Sequence, residues 1–351
     1  MRLLRFLLPA VGLLLAFLPG AVAAQQVSTV VGGLEVPWAV AFAPDGALYV
    51  TERPGRLRVV RGGRLEAAPV ATLPVAARGE GGLMGLALDP KFAETGRLYV
   101  CYTAERGRGL INRVVALALR DGRAREERTL VDDVPGSSIH DGCRLKFGPD
   151  GKLYVTTGDA ASSQLAQRRD SLAGKILRIN TDGSVPADNP FPGSPIYSLG
   201  HRNPQGIAWD RAGRLVAAEH GPSGFPSGHD EINRILPGRN YGWPEVYGDG
   251  GDARFVDPIV HSGRDTWAPS GIAFLGDHLY VGALRGQRLL RIALAADLSR
   301  AVGVTALLPG THGRLRDVVA GPDGALYVTT SNRDGRGSPA ADDDRVLRVL
   351  P

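Results

Sequence analysis

A six-bladed β-propeller built of four-stranded blades, an all-β fold, is predicted by three observations. A strand–turn–strand unit returns six times, a further apolar strand follows every copy, and the chain is rich in glycine and proline, 47 and 25 of its 351 residues. Many short strands joined by tight turns use residues in that way.

The copies run WAVAFAPDGALYVTE at 38–52, GLALDPKFAETGRLYVCY at 85–102, RLKFGPDGKLYVTTGD at 144–159, GIAWDRAGRLVAAEH at 206–220, GIAFLGDHLYVGAL at 271–284 and RDVVAGPDGALYVTTS at 316–331. Each has two alternating strands around a Pro-Asp-Gly-like turn, and Asp-Gly accepts the positive φ of a tight reversal. The third strands are GRLRVVR, NRVVALAL, GKILRIN, DEINRIL, QRLLRIAL and DRVLRVL. One such unit cannot bury both faces alone, so six packed radially close around a channel. The first strand, VSTVVGGL, and the last, RVLRVL, are expected to share a blade and close the ring. An open solenoid or a two-domain sandwich is the competing architecture, disfavoured by the copy number. No Pro/Ser-rich linker divides the chain, so residues 25–351 are expected to form a single propeller domain.

The N-terminus reads MRLLRFLLPAVGLLLAFLPGAVAAQQ. Two arginines, a short apolar run and small residues before Gln25 are the pattern of a cleaved secretory signal peptide over residues 1–24. With no second long apolar run, the mature protein is expected in the periplasm or secreted, without a membrane span. The formal net charge of +5 falls to +3 once Arg2 and Arg5 leave. No Lys/Arg block is interleaved with aromatics, which argues against a nucleic-acid partner. Cys101 and Cys143 both sit at strand-like positions; pairing and two buried free thiols stay open alternatives.

Propeller strands nearest the axis bring loops that are distant in sequence to one channel mouth. Departures from the repeat are therefore candidates for chemistry. His140, in GSSIHDG just ahead of the third copy, is a candidate general base. In GHRNPQG, Arg202 can stabilise developing negative charge on oxygen while Asn203 holds the same ligand. The loop EHGPSGFPSGHDEIN offers Gly221 and Pro222 carbonyls and the Asp230-Glu231 pair, an oxygen-rich set suited to calcium. Arg314 and Arg316 face one way on an extended strand and, with Arg285 of GALRGQR, can clamp a polycarboxylate. These groups point to an anionic, planar ligand.

The set EGGLMGLALDPKF, HDGCRLKFGPDGKLYVTTGD, GKILRI, GHRNPQG, EHGP…DEIN…GRNYGWP, GALRGQRLLRI and GRLRDV resembles the soluble glucose/sorbosone dehydrogenases. These quinoproteins, also called aldose sugar dehydrogenases, use pyrroloquinoline quinone (PQQ). The resemblance runs from about Val27 to the C-terminus. It implies a six-bladed propeller that holds PQQ and calcium at its mouth and oxidises the anomeric carbon of an aldose to a lactone. By the family pattern His140 takes the hydroxyl proton while hydride passes to the quinone, and Arg202 polarises the quinone oxygen beside Asn203. Arg285, Arg314 and Arg316 match the cofactor-binding positions, Arg285 standing where the family often has lysine. Gly221 and Pro222 match the carbonyl donors to the cofactor's calcium, and Glu231 matches a ligand of a further structural calcium. Electrons would pass to an unidentified quinone or cytochrome, from a monomer or homodimer.

Three positions depart from the glucose-oxidising pattern. Glu80 replaces a glutamine, Ile139 replaces an aspartate, and Trp267 abuts Ala268-Pro269 without a longer aromatic segment. Glu80 and Trp267 are the candidate substrate contacts, and a broad aldose range is expected. The rival functions are a calcium-dependent lactonase or esterase on the same fold and a binding propeller without chemistry.

Overall fold

Alternating apolar residues on either side of each turn pair into six antiparallel hairpins. These are Pro37–Phe42 with Leu48–Glu52, Leu83–Leu88 with Arg97–Arg106, Gly142–Phe147 with Leu153–Thr157, Pro204–Trp209 with Leu215–Glu219, Pro269–Leu275 with His278–Ala283, and Leu315–Ala320 with Leu326–Thr330. In the computed structural model, which describes residues 25–223 and 227–351, every hairpin gains a third strand at the position read from the sequence, from Arg56–Arg61 to Val346–Leu350. The result is a six-bladed propeller of four-stranded antiparallel sheets. In the first blade the outer edge is split between Arg64–Leu65 and Ala71–Thr72, both on the third strand. Among the described residues, regular helix is confined to Phe92–Thr95 and a 3-10 turn at Ser163–Gln167.

The ring closes as expected: Gln26–Val31 pairs with Val346–Leu350 as the outer strand of the last blade. The expected signal peptide, 1–24, lies outside the described residues. Among the described residues no helix is long and apolar enough to cross a membrane.

Cys101 and Cys143 form a disulfide with Cα atoms 5.6 Å apart, joining the second strand of blade 2 to the inner strand of blade 3. Closing a loop of 42 residues removes unfolded-chain entropy corresponding to about 4 kcal/mol.

All six hairpins share one irregularity that simple alternation does not show. The register slips near the mouth end of every inner strand, between Pro37 and Ala39, Leu83 and Leu86, Gly142 and Leu145, Pro204 and Gly206, Pro269 and Ile272, and Leu315 and Val318. A bulge bends the strand and re-aims the residue it leaves unpaired. The backbone N–H groups freed there are met by threonines of the second strand: Thr51 accepts from Ala39, Thr156 from Arg144 and Thr329 from Asp317. Trp38, Arg144, Gln205, Ser270 and Arg316 all fall within these bulges. At the axis the inner strands come so close that a Cβ on Gly206 would collide with the carbonyl oxygen of Ser270, which is why glycine stands there.

Candidate active site

Two kinds of loop meet at the mouth: those entering an inner strand, and those joining the second and third strands of a blade. Between them lies a cavity of about 300 Å³ lined by residues from Glu80 to Arg336. Five guanidiniums line it, those of Arg202, Arg285, Arg314, Arg316 and Arg336, against the two carboxylates of Glu80 and Asp230. Among the described lining side chains the surplus is three positive charges, before Asp334 behind Arg314 and Arg316 is counted, in a setting where partial desolvation strengthens every Coulombic interaction.

His140 enters from the loop before Gly142–Phe147. Its Nδ1 lies 2.8 Å from Asp159 Oδ1, and a carboxylate there can only accept, so Nδ1 carries the proton and, in the neutral imidazole, Nε2 keeps its lone pair. Asp159 is almost wholly buried. Its Oδ1 also accepts from Ala161 N at 2.9 Å, and its Oδ2 takes the Trp243 indole N–H at 2.8 Å. The His140 backbone is left-handed, φ 61°, a strained state for a residue with a side chain. It is held there from both sides, by Glu80 Oε2, which accepts its N–H at 3.0 Å, and by Ala160 N, which donates to its carbonyl at 3.2 Å.

Arg202 is buried, with its guanidinium carbon 5.3 Å from the Trp243 ring centroid. Trp243 thus touches Arg202 with its ring face and Asp159 with its indole N–H. Arg202 Nη2 reaches Ser223 Oγ at 3.2 Å, and its buried Nε has no partner among the described residues. Burial pulls its pKa down, opposed by Asp159, Glu219, Glu80 and Asp230.

Arg314 and Arg316 both approach Asp334 Oδ2, at 2.9 and 3.4 Å. Arg316 also bonds Ser331 Oγ and Gln205 Oε1. Burial pulls its pKa down to about 10, with Asp334 pulling upward. Beneath it, Trp38 lies between Arg316 and Arg144, whose guanidinium carbons stand 5.8 and 4.2 Å from the ring centroid. Arg144 is itself paired with Asp317 at 2.9 Å. Arg285 is exposed at the rim.

Gly221 and Pro222 present backbone to the cavity. Among the described residues neither carbonyl accepts a hydrogen bond, which leaves two hard oxygens beside the cavity without a partner, the donor type that calcium takes. Asp230 fixes this wall: Oδ1 accepts Gly221 N, and Oδ2 accepts Trp267 N and Ala268 N.

Three expected site residues lie off the cavity. Asn203 is fully buried behind the wall; its Oδ1 accepts Gly142 N at 3.0 Å, while Nδ2 is buried without a partner among the described residues. Glu231 is bound to Gly248 N and Asn233 Nδ2, and lines a separate small void with Glu219. Burial, then the Glu219 carboxylate, pushes its pKa up, an arrangement that favours a proton or a cation. Trp267, expected as a substrate contact, is the third residue off the cavity. Thr266 and Ala268 line the cavity, whereas Trp267 is buried and belongs to the apolar cluster that also holds Ile259 and Ile272.

Reading the sequence missed Asp159, Asp334 and Arg336. Asp159 had a signal, since the third copy ends Thr-Thr-Gly-Asp immediately beyond its second strand, beside the loop that carries His140. Arg336 and Asp334 lie in a polar stretch, SNRDGRGSPAADDD, where nothing local marks one charge above another.

The family profile described as Glucose / Sorbosone dehydrogenase matches residues 34–340. The chain belongs to this family. Among solved structures, this family member is similar to a putative oxidoreductase (glucose dehydrogenase) of Thermus thermophilus, with 50% identity and a TM-score of 0.89 over 93% of this chain and 100% of that one. The PQQ-bound aldose sugar dehydrogenase of Streptomyces coelicolor is 41% identical, with a TM-score of 0.85 over 93% of this chain and 98% of that one. The aldose sugar dehydrogenase YliI of Escherichia coli is 34% identical over 94% of this chain and 96% of its own length.

Proposed function

We propose that this protein is a PQQ- and calcium-dependent aldose sugar dehydrogenase that oxidises the anomeric carbon to a lactone and passes electrons to an external quinone or cytochrome. The carrying observation is the His140–Asp159 pair on the wall of a cavity with three surplus positive charges. A trianionic, planar cofactor matches that surplus, and the Gly221 and Pro222 carbonyls match its calcium. Bound there, PQQ would supply the hydride acceptor, and calcium would make it more electrophilic.

The chain's own residues do the rest. Asp159 holds the imidazole in the Nδ1–H tautomer and stabilises the imidazolium that forms when Nε2 takes the sugar hydroxyl proton. Arg202, desolvated and oriented by Trp243, offers positive charge where oxygen becomes negative. Arg314, Arg316 and Arg285 clamp carboxylates, and Asp334 keeps the first two aligned. Asn203, fully buried behind the wall, accepts Gly142 N through Oδ1 and so supports the loop that carries His140. Glu231, held by Gly248 N and Asn233 Nδ2, would be a ligand of a further, structural calcium. The mature protein is assigned to the periplasm or the secreted fraction on its N-terminal segment.

A lactonase built on this fold calls for side-chain carboxylates gathered around an axial ion. The axis here carries Arg144, Arg316, Gln205 and Trp38 instead. The test is reconstitution with PQQ and calcium and reduction of an artificial electron acceptor across a panel of aldoses. His140→Ala is expected to lose about 10²–10⁴-fold in turnover while still binding the cofactor. Undiminished turnover in that variant would refute the assigned base.

A further inference from the structure

One charged pair at the mouth has no part in the chemistry above. Arg336 Nη1 donates to Glu80 Oε1 at 2.6 Å, across 256 residues of sequence, joining the loop before blade 2 to the loop inside blade 6. Both side chains line the cavity that contains His140. Glu80 is largely enclosed, whereas Arg336 is half exposed, 18% against 53%. The other oxygen of Glu80 accepts the His140 N–H, so the pair stands beside the proposed base. Next to it, Ile139 also lines the cavity and brings no charge.

The pair continues into the cofactor cradle. The backbone N–H of Arg336 donates to Asp334 Oδ1 at 2.9 Å, and Asp334 Oδ2 is the oxygen shared by Arg314 and Arg316. A polar path therefore runs from the His140 backbone through Glu80, Arg336 and Asp334 to the two arginines. Burial alone would raise the Glu80 pKa, but His220, Arg336 and the His140 N–H outweigh it and bring it down to about 2. Glu80 is thus a full negative charge at neutral pH, and among the described residues Arg336 is the one cation bonded to it. Arg53 lies near enough to influence both and to be influenced by them.

We propose that the Glu80–Arg336 ion pair makes the substrate entrance electrically neutral and so selects uncharged aldoses over amino sugars and uronic acids. This rests on the dehydrogenase reading. Either charge left alone beside the reacting carbon attracts a sugar of opposite sign and repels one of like sign, an effect that is large where solvent is partly excluded. Arg336 is a specificity-determining residue here, and Glu80 also positions the His140 backbone.

The test compares kcat/KM for glucose, glucosamine and glucuronate in the reconstituted wild type, Arg336→Gln, Glu80→Gln and the double variant. Wild type is expected to prefer glucose. Arg336→Gln should raise the glucosamine-to-glucose ratio about fivefold and lower the glucuronate ratio, and Glu80→Gln should do the reverse. The double variant should return both ratios towards wild type. Ratios that stay within about twofold of wild type in both single variants, or that move the same way in both, overturn the proposal while leaving the dehydrogenase reading intact. A wild type inert towards every aldose fails both. The cofactor-free protein gives an independent readout: the Glu80 carboxyl, followed by ¹³C NMR, should titrate at higher pH in Arg336→Gln. An unmoved titration shows that Arg336 does not set the charge of Glu80 and overturns the proposal as well.

Discussion

The two ends of the propeller use the same residue type for opposite purposes. At the end away from the cavity, aspartates close the Pro-Asp-Gly-like hairpin turns. Asp45, Asp150, Asp210 and Asp323 each accept the backbone N–H two residues on, at Ala47, Lys152, Ala212 and Ala325. Asp45 and Asp323 then pair with Arg61 and Arg348 in solvent. At the mouth, Asp159, Asp230, Asp317 and Asp334 are buried and grip arginines, a histidine or several backbone donors. Water sets the difference. An exposed ion pair contributes about 0–1 kcal/mol, whereas breaking a buried one strands the surviving charge and costs about 3–5 kcal/mol. One face can therefore vary with little effect, and the other is a connected electrostatic unit.

The contrast is sharpest at Arg316. Arg316→Leu should weaken cofactor binding at least tenfold, because it removes a buried cation and leaves Asp334 paired with Arg314 alone; fluorescence titration of the cofactor-free protein reads it. Next in size is Asp159→Asn. The amide can still reach His140 Nδ1 but can present a donor to it and favour the other tautomer, so turnover should drop about 100-fold or more with cofactor affinity little changed. A parallel loss of affinity would mean that Asp159 serves the cradle rather than the base.

A third test uses pH. Asp141 is buried beside His140. Its Oδ1 accepts from Asn112 Nδ2 and Ser137 N, and its Oδ2 is buried without a partner among the described residues. Burial pushes its pKa up to about 7, with the two hydrogen bonds pulling the other way and the Glu80 charge adding to the rise. Between the ordinary value of 3.8 and about 7, the folded protein holds a proton that the unfolded chain has released. This group therefore makes stability fall as pH rises through that window. Asp141→Asn removes the dependence, so its stability relative to wild type should improve from pH 5 to pH 8 by the order of 2 kcal/mol, read by urea unfolding. A difference that does not vary with pH would break the argument.

The smallest effect belongs to the opposite face. Asp45→Asn keeps the turn acceptor and loses only the exposed charge, so the unfolding midpoint should move by no more than about 2 °C and turnover not at all. A large loss of activity there would end the distinction between the two faces.

The repeat was fully legible in the chain. Alternation and Asp-Gly turns are local, so the six hairpins, the third strands and the closing pair of Gln26–Val31 with Val346–Leu350 could all be read in order. His140, Arg202, Arg314 and Arg316 stood out because each interrupts that pattern just before or within an inner strand. Trp267 reads from the sequence as a loop aromatic, and only the fold puts it in the buried apolar cluster that holds Ile259 and Ile272. The Cys101–Cys143 bond also waited on the fold, since strand-like surroundings suit a buried thiol and a bridge between blades equally.

By itself, then, the sequence determined the blade, the number of blades and the family, because those follow from periodicity and turn chemistry within a few residues. The tertiary structure alone decided which charges face one another. The inner-strand bulges turn Trp38, Arg144, Gln205 and Arg316 toward the axis, and ring closure brings Glu80 to Arg336. Both depend on contacts between blades far apart in the chain, where the energy of a charge is set by the neighbours and water around it rather than by its place in a motif.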